Sequence, residues 1–173
     1  MHIRKAATAD AEELSGLLNE IIRAGGTTAL ETPLSAEEFA EWFIDGEFAL
    51  VCHVAEHDGL LVGFQSLSLY GDPPKGLADI ATFARMNSSA RGVGSALFPA
   101  TRAAAEELGF EFINATIRAD NVSGLTYYEK MGFQTYDRLV QVPLSDGTPV
   151  DRIKKRFAID AKRRNSSGDN ASS

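Results

Sequence analysis

The sequence predicts a mixed α/β or α+β domain built around one sheet. Short period-two runs of Val, Ile, Leu and Phe alternate with apolar residues at helical spacing. The resulting element order is β-α-α-β-β-β-α-β-α-β-β, and no internal repeat interrupts it. Hydrophobic residues make up 44% and charged residues 24% of 173 positions, enough apolar material for one core of ordinary size.

The elements follow in order. His2–Lys5 reads as a short first strand. Thr8, Ala9 and Asp10 signal a helix start, with Glu12 and Glu13 in the first turn, where the helix dipole favours acids. Leu14, Leu17, Leu18, Ile21 and Ile22 continue it at helical spacing, and Gly25-Gly26 stops it. After a Thr-rich loop, Ser35 and Glu38 form a capping-box signature ahead of Phe39, Trp42 and Phe43. Two alternating runs flank His57-Asp58-Gly59, the pattern of a β-hairpin. A Gly/Pro loop leads to a strand over 77–85. The pattern then predicts a helix over 95–108, a strand over 110–117, a helix over 122–131, and strands over 133–142 and 150–159. Pro99 lies beyond the first helical turn and predicts a kink. Residues 1–160 read as one domain. Residues 161–173 carry no anchoring apolar residue and read as a disordered basic, polar tail.

Charge and cysteine content exclude several classes. The formal charge is −7, from 17 Lys and Arg against 24 Asp and Glu, which argues against a nucleic-acid partner. Residues 1–150 hold 10 basic and 21 acidic side chains, and a body this acidic favours cationic small molecules. Cys52 is the only cysteine, so no intrachain disulfide forms. His2, His53 and His57 lack ligand spacing, so no metal is expected. No secretory or membrane-spanning run is present, which makes the cytoplasm the expected compartment. Lys154-Lys155-Arg156 reads as the solvated face of an edge strand.

The most informative stretch is ARMNSSARGVGSALF, where a strand ends, a glycine loop turns and a helix begins. Gly92 and Gly94 leave room for backbone N–H groups to converge on a phosphate at a helix N-terminus. A dinucleotide fingerprint needs a third Gly or Ala at the position of Leu97, and a Walker loop needs Gly-Lys-Ser/Thr. Neither is present. Two glycines that merely cap a helix remain the alternative. About thirty residues later comes NVSGLTYYEKMGF. Together these two motifs resemble the GNAT superfamily of acyl-CoA-dependent N-acetyltransferases, and the resemblance covers nearly the whole chain. In the N-terminal half, NEIIRAGGTTALETPLSAEEFAEWF is similar to the phosphinothricin/methionine-sulfoximine acetyltransferase branch.

The resemblance implies a mostly antiparallel sheet of six to seven strands with about four flanking helices and acyl-CoA in a cleft between splayed central strands. It implies acetyl transfer from acetyl-CoA to the primary amine of a small amino-acid-like acceptor in a ternary complex, and a homodimer. Acceptors of polyamine, aminoglycoside or protein type keep the same fold. Tyr128, seven residues after Asn121, is the implied acid for the leaving thiolate, with core packing as its alternative. Tyr127 points about 100° away on the helix and reads as structural. Asp79 is the implied base through water, or an anchor for the acceptor's ammonium. The backbone of Thr82, Phe83 and Ala84 is implied to hold the pantetheine arm as an added strand. Ser89, Ala90, Arg91, Gly92, Val93, Gly94 and Ser95 are implied to hold the pyrophosphate. Asn121 holds the coenzyme from the other side or caps its helix, or both. Thr27, Thr28, Glu31, Phe39, Trp42 and Phe83 are the implied acceptor contacts, though an aromatic stripe is as often core. Ser89 departs from the family pattern Q/R-x-x-G-x-G/A, leaving Arg91 as the only charge in the loop. That departure keeps open a non-catalytic acyl-CoA-binding regulatory module.

Overall fold

The computed structural model of the chain describes residues 1–159; the expected tail over 161–173 lies outside them. β1 (His2–Lys5) leads through a 3-10 turn to α1 (Ala11–Ala24). Asp10 is not a cap for α1. Its carboxylate takes two hydrogen bonds from the Arg4 guanidinium, at 2.8 and 2.9 Å, and one from the Ala7 amide at 2.7 Å. Leu14, Leu17 and Leu18 on α1 are fully buried or nearly so. α2 (Ala36–Ala40) begins with the expected capping box, in which the Glu38 amide donates to Ser35 Oγ at 3.1 Å. A wide π turn over Glu41–Asp45 continues it.

β2 (Ala49–His57) and β3 (Leu60–Ser68) are joined by Asp58 and Gly59, both at positive φ, as a two-residue hairpin turn of this twist requires. β4 (Leu77–Ala84), α3 (Val93–Glu107), β5 (Phe112–Arg118), α4 (Val122–Lys130), β6 (Gln134–Pro143) and β7 (Pro149–Ala158) follow. The expected element order and the seven-stranded, mostly antiparallel sheet are therefore found. The strand order is β1-β2-β3-β4-β5-β7-β6, with β4 and β5 the parallel pair.

Two corrections concern α3 and β7. α3 starts two residues earlier than its apolar pattern indicates and runs unbroken past Pro99. Pro99 is exposed, so the Ser95 carbonyl left without its i+4 donor stands on the outer side of the helix. β7 is not an edge strand, because it inserts between β5 and β6. Lys155 is consequently buried and donates to Thr135 Oγ1 at 2.9 Å, while Lys154 and Arg156 lie over the Tyr136 ring on the opposite face.

The sheet separates two apolar layers. Phe39, Phe43 and Phe64 join α1 and α2 to β2 and β3 on one face. Ile80, Phe98, Ile113 and Tyr128 join α3 and α4 to β4 and β5 on the other. Cys52 and His53 are both buried in β2, and burial pushes the Cys52 thiol up to about 12.

Candidate active site

The parallel pair positions the site by separating. β4 and β5 are in register only at Leu77–Phe112, Ala78–Ile113 and Asp79–Asn114. Beyond that point β4 stays paired with β3 as far as Ala84 opposite Gly63, while β5 stays with β7. The wedge between them opens into a cavity of about 660 Å³ whose walls include Thr82, Phe83, Ala84, Thr116, Arg118 and Tyr128. The Arg85 amide donates to Val62 on β3. By strand alternation, the backbone groups of Thr82 and Ala84 then face the cleft and those of Phe83 face β3. A peptide-like arm laid along this edge would meet free donors and acceptors.

Tyr128 lies in the wall of this cavity with only 7% of its surface exposed. Its hydroxyl is 2.8 Å from Thr82 Oγ1. Burial raises its pKa well above the ordinary phenol value, with the Thr82 hydrogen bond opposing the shift, so the phenol stays protonated through the neutral range. Tyr127, next to it, donates to the Gly94 carbonyl at 2.8 Å and accepts from Gln65 Nε2 at 3.0 Å.

Asp79 sits where the strands part, on the face opposite Tyr128, and does not line the cavity. It accepts from Asn114 Nδ2 at 2.6 Å, and Tyr136 donates to the same Asn114 through its side-chain oxygen. Burial raises the Asp79 pKa, partly offset by the Asn114 hydrogen bond and the Lys154 charge. A half-buried carboxylate with a raised pKa is a better proton acceptor than a solvated one.

The glycine loop is built for two different reasons. Gly92, at φ 68°, takes a left-handed conformation that lets the chain enter α3. At Gly94, a Cβ would lie 2.7 Å from the Tyr127 ring, so the missing side chain makes room for Tyr127. Of Ser89 to Ser95, Gly94 alone lines the cavity, joined by Met86 earlier in the loop. Ser89, Arg91 and Gly92 are exposed, Val93 is buried, and Ser95 lies in the first turn of α3. Arg91 donates to the Ser88 carbonyl at 3.2 Å, and the Ala90 amide donates to Ser88 Oγ. Asn121 caps its helix as expected, its side chain accepting from the Gly124 amide, and it also lines the cavity. It further donates to the Thr27 carbonyl at 3.0 Å.

The expected acceptor contacts divide. Thr27, Thr28, Trp42 and Phe83 line the cavity. Phe39 does not: it is fully buried against Phe43 and Phe64, because the α2 register turns it into the core. Glu31 is also outside the wall and instead holds the β6–β7 turn through Ser145, at 2.8 to 3.1 Å.

Three residues were missed by sequence reasoning. Arg118 lines the cavity, is paired with Asp120 at 2.8 Å, and donates to the Thr28 carbonyl. Arg152 stands opposite it on β7, and its guanidinium has no hydrogen-bond or ion-pair partner among the described residues. Gln65 is fully buried behind the site. Only the β5–β7 pairing brings the two arginines together, and no local motif marks them. Among the described residues, no Asp or Glu lines the cavity. The acidity of the chain lies elsewhere, for instance on the exposed Glu12, Glu13, Glu20, Glu37 and Glu38, contrary to the expectation that it would face the acceptor.

Comparison with known proteins agrees with this geometry. The family model described as acetyltransferase (GNAT) family matches residues 17–133. A Bacillus subtilis (strain 168) protein named "Putative phosphinothricin acetyltransferase YwnH" is 27% identical over 154 residues, covering 87% of this chain and 94% of that protein. The Brucella melitensis ribosomal-protein-alanine N-acetyltransferase has a similar structure, with TM-score 0.80 and 21% identity over 91% of this chain and 99% of that one. The Sinorhizobium meliloti GNAT superfamily phosphinothricin acetyltransferase, solved in complex with AcCoA, gives TM-score 0.79 and 20% identity over 91% and 88%.

Proposed function

The chain belongs to the acetyltransferase (GNAT) family, whose model spans residues 17–133, and on that premise we propose that it acetylates the primary amine of a small acceptor that also carries an anionic group. An amino-acid-like acceptor of the phosphinothricin or methionine-sulfoximine type fits this description. The observation that carries the proposal is the meeting, in one cavity, of the free β4 edge and the Tyr128 hydroxyl with Arg118, which Asp120 neutralises, and Arg152, which has no partner among the described residues. A polycationic acceptor would meet repulsion from Arg152 there, since Asp120 already neutralises Arg118, whereas an acceptor carboxylate would be held by Arg152.

Acetyl-CoA is the acyl donor in this reading. Thr82 and Ala84 offer backbone partners to its pantetheine arm, and Arg91 with the N–H groups at the start of α3 receives its pyrophosphate. The described residues fit that ligand, since the cleft edge is unpaired and the loop mouth is exposed. Ser89 adds a hydroxyl donor but no charge.

The chemistry needs a neutral amine and a protonated leaving thiolate. Asp79, which lies outside the cavity wall, takes the first ammonium proton through a water relay and returns it to solvent. The neutral nitrogen forms its bond to the acetyl carbon and sheds its second proton to solvent, the carbon–sulfur bond breaks, and Tyr128 supplies the proton that leaves CoA as a thiol. Tyr128 recovers its proton from water, so no oxidant or further co-reactant enters. A homodimer in the cytoplasm belongs to the same reading, and light scattering of the purified chain tests the assembly.

The test of acceptor class is Arg152→Gln assayed on an α-amino acid acceptor and on the corresponding amine lacking the carboxylate. KM for the amino acid should rise about tenfold or more, as loss of a charge-assisted hydrogen bond implies, while that for the bare amine should not. Equal effects on both acceptors would remove Arg152 as the anion contact.

A further inference from the structure

We infer that Gln65 is a positioning residue that turns the Tyr128 proton toward the cleft through a one-way chain of hydrogen bonds. The inference rests on the proposed role of Tyr128 as the acid. Gln65 sits mid-strand on β3, opposite Thr82, and is completely buried. Its Nε2 donates to Thr82 Oγ1 at 2.9 Å and to Tyr127 Oη at 3.0 Å. Its Oε1 has no partner. A buried glutamine in the middle of an apolar strand, with half its amide unsatisfied, calls for an account beyond packing.

The direction of every bond up to Thr82 follows from one end. The Gly94 carbonyl can only accept, so the single proton of Tyr127 is committed to it at 2.8 Å. Tyr127 must then accept from Gln65, which requires the amide nitrogen, not the oxygen, to face it. The opposite amide orientation would place Oε1 against a hydroxyl with no proton left to give. With Nε2 so oriented, its second N–H points to Thr82 Oγ1, which accepts it. The last link is the inferred one: either hydroxyl can donate across the 2.8 Å between Thr82 Oγ1 and Tyr128 Oη, and donation by Thr82 gives its one proton a partner among the described residues. With that link Tyr128 receives at its oxygen, and its own proton is free to point into the cavity that it lines. Reversal of any bond would instead bind the Tyr128 proton to Thr82 and withdraw it from the reaction.

The chain begins on the first turn of α3 and ends at the proposed acid. It also accounts for Gly94, because a side chain there would collide with the ring that fixes the direction.

The experiment is a double-mutant cycle with two replacements of Gln65. Gln65→Met keeps the length and removes both donors. It should lower kcat about tenfold, part of the ~100-fold or greater contribution of a general acid, with KM for acetyl-CoA and thermal stability little changed. In a Tyr128→Phe background the same change should lower kcat no further. Gln65→Glu keeps the volume and tests direction, since a carboxylate only accepts. Its kcat deficit relative to the parent enzyme should shrink as pH falls and the buried carboxyl gains a proton to donate.

An equal loss from Gln65→Met with and without Tyr128 would make Gln65 a packing residue and overturn the inference. So would an unchanged kcat in Gln65→Met, or a Gln65→Glu deficit that ignores pH. If Tyr128→Phe alone left kcat intact, the acid assignment itself would fall, and the inference with it.

Discussion

Tyr127 and Tyr128 are neighbours in sequence, yet their protons are used differently. Both line the cavity, but the Tyr127 hydroxyl is tied to the Gly94 carbonyl, whereas that of Tyr128 meets Thr82. Tyr128→Phe should reduce kcat about 100-fold, the lower end for loss of a general acid, with acetyl-CoA affinity measured by calorimetry nearly unchanged. Asp79 supplies the second prediction. Burial raises its pKa, so the acid limb of kcat/KM should lie above the ordinary carboxylate value of about 3.9. Asp79→Asn should lower kcat/KM and flatten that limb, and a pH profile of both proteins checks it. Residues of this scale were legible where a motif carries its own register. Asn121 and Tyr128 share one helix, so their spacing announces them. Arg152 and Gln65 were not legible, because each meets its neighbours at the site through a strand pairing that no local pattern encodes.

Elements respond to substitution where their ends meet. Gly94→Ala would press a methyl group into the Tyr127 ring and should destabilise the fold by about 1–3 kcal/mol, as overpacking does, read as a fall in chemical-denaturation midpoint. The start of α1 behaves differently. Arg4 holds the Asp10 carboxyl below its ordinary value, and the Ala7 amide adds to this. For a carboxylate depressed in the folded state, the stabilisation is complete above the unfolded pKa near 3.9 and is lost as pH falls through the lower folded value. Asp10→Asn should therefore cost about 1 kcal/mol at neutral pH and progressively less in acid, as denaturation at several pH values would show. α1 was readable from its apolar spacing and closing Gly25, α2 from its capping box, and the β2–β3 hairpin from its turn residues. The insertion of β7 between β5 and β6 was not, because strand order depends on tertiary pairing. The basic run at 154–156 looked like an edge strand for that reason.

Across the whole molecule, charge and site are arranged separately. The chain carries −7 overall, yet, among the described residues, the cavity presents the unpaired Arg152 and no carboxylate in its wall. The sum predicts a cationic acceptor, and the local arrangement favours an amine that is also an anion. Electrostatics at close range outweighs the screened field of distant surface acids, which falls away over about 8–10 Å in ordinary salt. The most direct measurement is release of free CoA from acetyl-CoA with methionine sulfoximine and, separately, with a polyamine as the acceptor. Turnover on the amino-acid-like acceptor with little or none on the polyamine is the predicted result. Turnover confined to the polyamine, or no CoA release with any amine, would contradict it.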